Sequence, residues 1–526
     1  MLVRLPPFSL VLGLLALMML GPAVLSLLER EWFAARSFLY AALFTAFAAA
    51  ALATVLAGHT RDATARSELV MLVLTWLLAP LFAAAPLILI TPGIGLVGSY
   101  FEMMLCFTTT GGTSYADLTR VPDAVHLWRG MVGWAGGLLT LAAAYVVFAP
   151  RRLGGFEVFA ASAYGEGGMG GQLIAIGAAA PALHHRLSRA LRSILPVYIG
   201  LTAALALIFT ALGAEGVAGM VHAMGIISTT GVSPYPAGIA EAESFWMELA
   251  AAAFLLLTAT RLIYAAASQA GTTGPWAQDP ELRLLGALVV LASLTLFLRH
   301  WLGALTIDLG ENAGQDAGTA IWGAVFTTLS FLTTTGFQSA FWDSARNWSG
   351  LANPHLILLG LCAIGGGAAT AAGGIKLIRL YALTRHGIRE LERLAQPSAV
   401  IGVGAEARGI LRQGAFIAWA FIMLYVMGWM TVMLALTLTG LTYEEALVGA
   451  IATLSNTGQA YTLVLEGERT LATTTTPQRF IMAAAMVLGR IETLALIALF
   501  NPGSWQLFGL SGGGGGKHRR AAPDHW

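Results

Sequence analysis

Apolar residues run through this chain in blocks long enough to cross a bilayer, and the polar material between the blocks repeats. A span needs roughly 20 predominantly apolar residues. The first two such blocks, 8–28 and 37–57, are joined by a charged link at 29–36. After a polar break at 58–66 the rhythm changes: a long block (67–90) leads to a short one (98–107), a Thr/Gly stretch, and a second long block (127–148). The same order returns at 191–212, 216–227 and 245–267, at 284–302, 319–332 and 354–381, and at 415–438, 443–454 and 479–500. Each short block closes on one kind of sequence: Thr109-Thr110-Gly111, Thr229-Thr230-Gly231, Thr334-Thr335-Gly336 and Asn456-Thr457-Gly458. These glycines lie roughly 105 to 122 residues apart, an internal repeat to be read before any local motif. The pattern predicts an all-α polytopic membrane protein. Two N-terminal spans occupy 1–66, four pore repeats occupy 67–152, 153–275, 276–395 and 396–505, and a flexible tail covers 506–526. Each repeat is a span, a re-entrant pore helix and a span, and the four surround one pore.

Composition agrees. The chain is 57% hydrophobic and 11% charged, with a mean hydropathy of +0.73, which excludes an ordinary soluble domain. A net charge of +1 offers no general attraction for nucleic acid. Cys106 and Cys362 both sit in apolar blocks, so no disulfide framework is implied. The N-terminal run has a single Arg before its apolar stretch and no persuasive small-residue cleavage site, so it reads as a retained span rather than a signal peptide. Lys and Arg concentrate in the links between repeats (Arg61 and Arg66; Arg151 to Arg192; Lys376 to Arg412) and in the tail. By the positive-inside rule these links and both termini face the cytoplasm. The Thr/Gly loops then open outward, into segments that lean acidic.

The short blocks carry the chemistry. They are too short to cross, and irregular backbone at membrane depth survives only where protein or a water-filled path satisfies its polar groups. A re-entrant helix ending near the midplane aims its C-terminal carbonyl dipoles at the centre, which favours a cation. Glycine allows backbone angles closed to other residues, so successive carbonyls can face an axis, with Thr and Ser hydroxyls bonding backbone or adding oxygen. Rings of carbonyls that replace a hydration shell select potassium. No carboxylate ring occupies the loops, so strong divalent binding is not expected. A single such loop reads equally well as a close-packing site for helices; four at matching places favour one cation filter.

Two features lie below that filter. The second long block of the third repeat contains Gly365, Gly366, Gly367, Ala368, Thr370, Gly373 and Gly374. Five glycines at about 1 kcal/mol each predict a broken helix. Arg490 falls deep in the last block, where a central Arg costs roughly 2.5–3.5 kcal/mol and must find inward partners. We expect it to pair with the glycine-rich segment and form part of the barrier. Lys376, just after that segment, suits a partner, anionic lipid or simple topology bias. Ser511–Lys517 resembles a phosphate loop only superficially, since it lacks the first Gly and follows no strand.

The motifs SYFEMMLCFTTTGGTS, HLWRGMVGWAGG, TTLSFLTTTGFQSAFW, IGGGAATAAGGIKLIRL, ATLSNTGQAY and MVLGRIETLALIALFNPGSW resemble the Trk/Ktr superfamily of potassium uptake proteins, most closely its TrkH branch. The resemblance runs from about Ser67 to Trp505. It implies K⁺ as transported ion, with no organic cofactor in this chain. It also implies a bacterial inner-membrane location, a homodimer, and a cytosolic TrkA-type nucleotide-binding regulatory subunit. Sodium-preferring relatives often have serine for the first filter glycine; all four glycines are present here. The alternatives are a K⁺/H⁺ or K⁺/Na⁺ symporter, with Glu102, His222 and Glu492 as candidate coupling groups, and a Na⁺-permeable relative. No HExxH or nucleophile–base arrangement supports an enzyme.

Overall fold

The computed structural model describes residues 7–57, 65–149, 183–260, 263, 279–303, 313–351, 353–395, 405–467 and 469–491. Among these the chain is helical with no strand, an all-α polytopic membrane protein. The predicted first span is two helices, α1 (Pro7–Met18) and α2 (Leu20–Leu28), parted just before Gly21-Pro22, where proline removes a ladder donor. They pack on α3 (Trp32–Ala57). The next block breaks into α4 (Ala65–Ala83) and α5 (Ala85–Ile90), between Pro80 and Pro86. At that break the Ala83 carbonyl accepts from the Trp128 indole at 2.9 Å, so the interruption leaves this oxygen paired.

Four helices stop short of crossing: α6 (Gly95–Phe107), α9 (Ala218–Ile227), α12 (Ala313–Leu332) and α17 (Tyr443–Leu454). The last matches the sequence expectation at both ends, because Thr442 and Glu445 form a capping box that sets its start. α12 starts six residues before its apolar block and is the longest of the four. Flanking them are α7 (Asp123–Ala143), α8 (Leu183–Ala211), α10 (Phe245–Thr258), α11 (Pro280–Gly303), α16 (Ala405–Thr437) and α19 (Thr476–Ile491). α10 ends nine residues before its predicted limit, and the far half of the last block lies outside the described residues. The block at 354–381 is interrupted as predicted: α14 (His355–Ile364) and α15 (Leu377–Ala395) are separated by 365–376.

Among the described residues, seven helical stretches are long and apolar enough to span a membrane. Asp123–Phe148 is 83% buried and the other six no more than 44%, so this span sits at the centre and the rest carry the lipid-facing surface. Gly136 and Gly137 explain how α7 gets there. A Cβ on Gly136 would overlap the Phe107 carbonyl at the end of α6, and one on Gly137 would lie 2.7 Å from Ser228 Cβ, just past α9. Backbone meets backbone, the packing available to small residues between membrane helices.

α7 also supplies Arg129, which is 1% exposed and reaches the fully buried Glu102 of α6 at 2.6 Å. Glu102 further accepts from Ser114 N (2.5 Å) and Ser114 Oγ (2.8 Å), while Arg129 donates to Ser233 O (2.9 Å) and Gly112 O (3.3 Å). One ion pair therefore ties two Thr/Gly loops to two helices. Removing one partner of a buried pair costs about 3–5 kcal/mol, because the other charge is left unmatched. Arg129→Ala should lower the thermal midpoint of the purified protein by several degrees, whereas Arg120→Ala, which breaks the exposed pair with Asp117, should leave it in place. Equal midpoints for both variants would contradict the bracing role.

Candidate functional site

The four short helices end identically for most of their last turn. Thr108, Ser228, Thr333 and Ser455 each donate N–H four residues back, and Thr109, Thr229, Thr334 and Asn456 three back. Those second residues all adopt the left-handed region, at φ 49°, 54°, 59° and 53°. Such a residue is the usual stop for a helix, and it lets the next N–H groups recover the last helical carbonyls. Thr110 and Gly111 both donate to Leu105 O, Thr230 and Gly231 to Gly225 O, and Thr335 and Gly336 to Ser330 O. Gly111, Gly231 and Gly336 continue at φ 72°, 64° and 79°, where a side chain is strained.

The fourth loop departs. Thr457 donates to Ala452 O as expected, but Gly458 has φ −64° and donates instead to Thr110 O of the first loop at 2.6 Å. The chain then enters α18 (Gln459–Val464). Positive φ was the sequence argument for all four glycines; the fourth earns its place by close approach alone, since a Cβ there would overlap the Gly111 carbonyl.

The loops form a closed ring. A Cβ on Gly111 would overlap Thr230 O, and one on Gly231 would overlap Thr335 O; one on Gly336 would lie 3.1 Å from Thr457 Cγ2, and Gly458 returns to Gly111. Loops one to four thus follow one another around an axis, with glycine at each junction and every Thr, Ser and Asn of the ring buried. Most of their side chains hold backbone or one another. Thr108, Ser228, Thr333 and Ser455 hydroxyls donate to helical carbonyls, and the first three pair with Thr110, Thr230 and Thr335 at 2.7, 2.5 and 3.2 Å. Thr229 Oγ1 and Asn456 Oδ1 are buried with no hydrogen-bond partner among the described residues, so the ring keeps side-chain as well as carbonyl oxygen to offer.

Behind the ring a position nine residues before each glycine does related work. Glu102 accepts from Ser114 N, and Thr327 Oγ1 accepts from Ser339 N (3.2 Å). His222 Nε2 bonds Ser233 Oγ (2.9 Å), and a Cβ on Gly449 would touch Tyr461 at 3.3 Å. Glu102 and His222 were singled out by sequence as titratable groups, but the partners that occupy them, Arg129 above all, lie too far along the chain to be read there. Glu492 lies outside the described residues.

Below the ring lies the glycine-rich segment, buried throughout residues 365–374. Gly373 N donates to Thr334 Oγ1 (2.9 Å), and a Cβ on Gly373 would overlap Ser455 O. A Cβ on Gly365 would overlap Gly373 O, one on Gly366 would come within 2.5 Å of Ala372 Cβ, and one on Gly367 would overlap Ala259 O; Gly374 folds back on Gly365. Ala368 N donates to Glu281 Oε1 (2.7 Å), Thr370 Oγ1 to Gly367 O (2.7 Å), and Lys376 Nζ to Ala372 O. Arg490 is 4% exposed and joins segment to ring: Nη1 donates to Ala371 O (2.5 Å), Nε to Thr108 O (2.6 Å), and Nη2 to Thr109 O (3.1 Å) and Thr109 Oγ1. The sequence located Arg490 and its glycine-rich partner; its hold on the first loop was not legible. Above the ring a cavity of about 460 Å³ is lined by Gly112, Gly231, Gly336 and Gln459, and by the charged residues Asp343, Glu466, Arg129 and Arg346. Glu466 pairs with Arg346 at 2.6 Å, so the mouth is mixed in charge rather than acidic.

A family model described as TrkH, cation transport protein, matches residues 279–506. The chain is 28% identical over 511 residues to the Trk system potassium uptake protein TrkH of Salmonella typhimurium, covering 94% of this chain and 98% of that one. It is 25% identical to the Trk system potassium uptake protein TrkG of Escherichia coli, covering 84% and 86%. The crystal structure of the potassium transporter TrkH from Vibrio parahaemolyticus superposes with a TM-score of 0.76 at 26% identity, covering 94% of this chain and 98% of that one. Along nearly its whole length the chain is similar in sequence and in fold to TrkH proteins, and its residues 279–506 match the TrkH cation transport model.

Proposed function

We propose that this chain takes up potassium across a bacterial inner membrane, through a filter made by Thr109-Thr110-Gly111, Thr229-Thr230-Gly231, Thr334-Thr335-Gly336 and Asn456-Thr457-Gly458. The observation that carries this reading is the closed ring of four matching turns, which brings backbone carbonyls and buried hydroxyls of all four loops together with glycine at each junction. That is the ligand chemistry of a monovalent cation stripped of water. The relatives named as potassium uptake proteins support the same ion. A membrane potential supplies about 2.3 kcal/mol per charge for each ~100 mV, enough to drive uptake without a second ion. Against a symporter, Glu102 is held in an ion pair and His222 is bonded to Ser233, and neither lines the cavity above the ring.

In this reading residues 67–152, 153–275, 276–395 and 396–505 are the four repeats. The links between them and both termini are cytoplasmic, following the placement of Lys and Arg. The segment bearing Gly365, Gly366, Gly367, Ala368, Thr370, Gly373 and Gly374, with Lys376 and Arg490, blocks the path and moves to open it. Arg490 adds a fixed positive charge to that barrier. Regulation comes from outside the chain, by a TrkA-type nucleotide-binding cytosolic subunit on a homodimer; the Trk system names of the relatives support only that such proteins work as part of a system.

The test is ion uptake by the purified full chain in proteoliposomes with K⁺, Rb⁺, Na⁺ and Li⁺. Gly336 is the ring glycine with most room, since its nearest neighbours are the Gln459 and Thr457 side chains rather than backbone. Its φ of 79° still strains a side chain, so Gly336→Ser should lower the thermal midpoint, and in protein that folds it should lower the preference for K⁺ over Na⁺; an unchanged ratio in folded protein would count against the filter. Arg490→Ala should raise K⁺ flux several-fold, because both the charge and its hold on Ala371 are lost. Wild-type flux in a stable Arg490→Ala protein would remove Arg490 from the barrier.

A further inference from the structure

Gln459 follows the fourth ring glycine, at a position held by Gly112, Val232 and Phe337 in the other loops. It alone is polar there, and it alone follows a glycine with helical φ, so its side chain is thrown across the ring's outer face rather than away from it. Its amide nitrogen donates to Gly231 O at 2.5 Å and lies 3.4 Å from Thr230 O. The same amide stands beside the other two loops. A Cβ on Gly111 would be 2.5 Å from its Nε2 and 2.8 Å from its Oε1, and one on Gly336 would be 2.9 Å from Oε1. Oε1 is buried and takes no hydrogen bond from the described residues. One primary amide thus touches three loops from the side where the cavity opens.

We propose that Gln459 determines specificity as a reversible outer ligand of the transported cation, a role that rests on the filter reading above. The chemistry follows from the two ends of an amide. The NH₂ end satisfies the Gly231 carbonyl and competes with a cation for it. Turning the amide over brings Oε1 toward the same carbonyls, an arrangement that repels unless a cation sits between the oxygens. A cation arriving from the cavity therefore displaces the NH₂, reverses the amide and gains a side-chain oxygen in addition to the backbone ring. A smaller, more strongly hydrated cation gains less from an oxygen held at this distance, so the exchange favours K⁺ over Na⁺.

The experiment measures initial uptake against K⁺ and Na⁺ concentration in proteoliposomes of the full chain, with thermal midpoints recorded for each variant. Gln459→Glu removes the competing NH₂ and adds charge: the half-saturating K⁺ concentration should fall about tenfold, and external Ca²⁺ should now inhibit. Gln459→Met keeps length and loses both ends, and should reduce the K⁺ over Na⁺ preference several-fold with an unchanged midpoint. Wild-type half-saturation and preference in both variants, or a shift in midpoint alone, would overturn the proposal. If Gly336→Ser alters selectivity while the Gln459 variants do not, the outer ligand fails and the filter stands; if neither does, the filter reading fails as well.

Discussion

Irregular backbone inside a membrane must find its hydrogen bonds within the protein, and that constraint shapes every part of this site. Four helices end in the interior, each with carbonyls left over by the helix ladder. A left-handed residue at Thr109, Thr229, Thr334 and Asn456 turns the chain so that following N–H groups recover those carbonyls. The solution has a directional consequence. Donors are drawn back to the helix ends, so the loops present oxygen on the side away from them. A ring built from four such turns is rich in acceptors because its donors are already used.

The remaining contacts defend this arrangement from behind and below. Behind it, Glu102 and Arg129 are buried together and reach Gly112, Ser114 and Ser233, so loops one and two cannot separate without exposing a charge pair to an apolar interior. Glu248 does the same for the third loop, accepting from Ala340 N (2.6 Å), Ser339 Oγ (2.7 Å) and the Trp322 indole (2.7 Å). Below it, the left-handed residues point their side chains toward the glycine-rich segment: Thr109 to Arg490 and Thr334 to Gly373 N. Asn456 instead ties Thr110 Oγ1 to Met486 O, which binds the fourth loop to α19. The turn that makes the ring thus also fastens it to the segment beneath.

Much of this was legible in the residues, and what was not has a physical reason. Helix ends are local events, so Tyr443–Leu454 could be bounded from its capping residues and the interruption after Ile364 from glycine content. The chemistry of the loops was legible because Thr and Gly have no use in a lipid-facing helix. The departures lie in contacts between residues far apart in sequence. Nothing near Gly458 announces that it will donate to Thr110, nothing near Arg490 announces Thr108, and nothing near Arg129 announces Ser233. Glu102 and His222 looked free to titrate because their partners come from other elements. Gln459 did carry a signal, the lone polar side chain after a ring glycine, but its meaning depends on a backbone angle that differs from the other three loops.

The central claim is that the four loops act as one cation site. Diffraction from crystals of the full-length protein grown in Rb⁺ tests it most directly, through the anomalous signal of the ion. The account predicts a peak on the ring axis, within direct bonding distance of carbonyl oxygens from all four loops, that disappears when Rb⁺ is replaced by Li⁺. A peak bound by only one or two loops, or by carboxylates of the outer cavity with none in the ring, would contradict it.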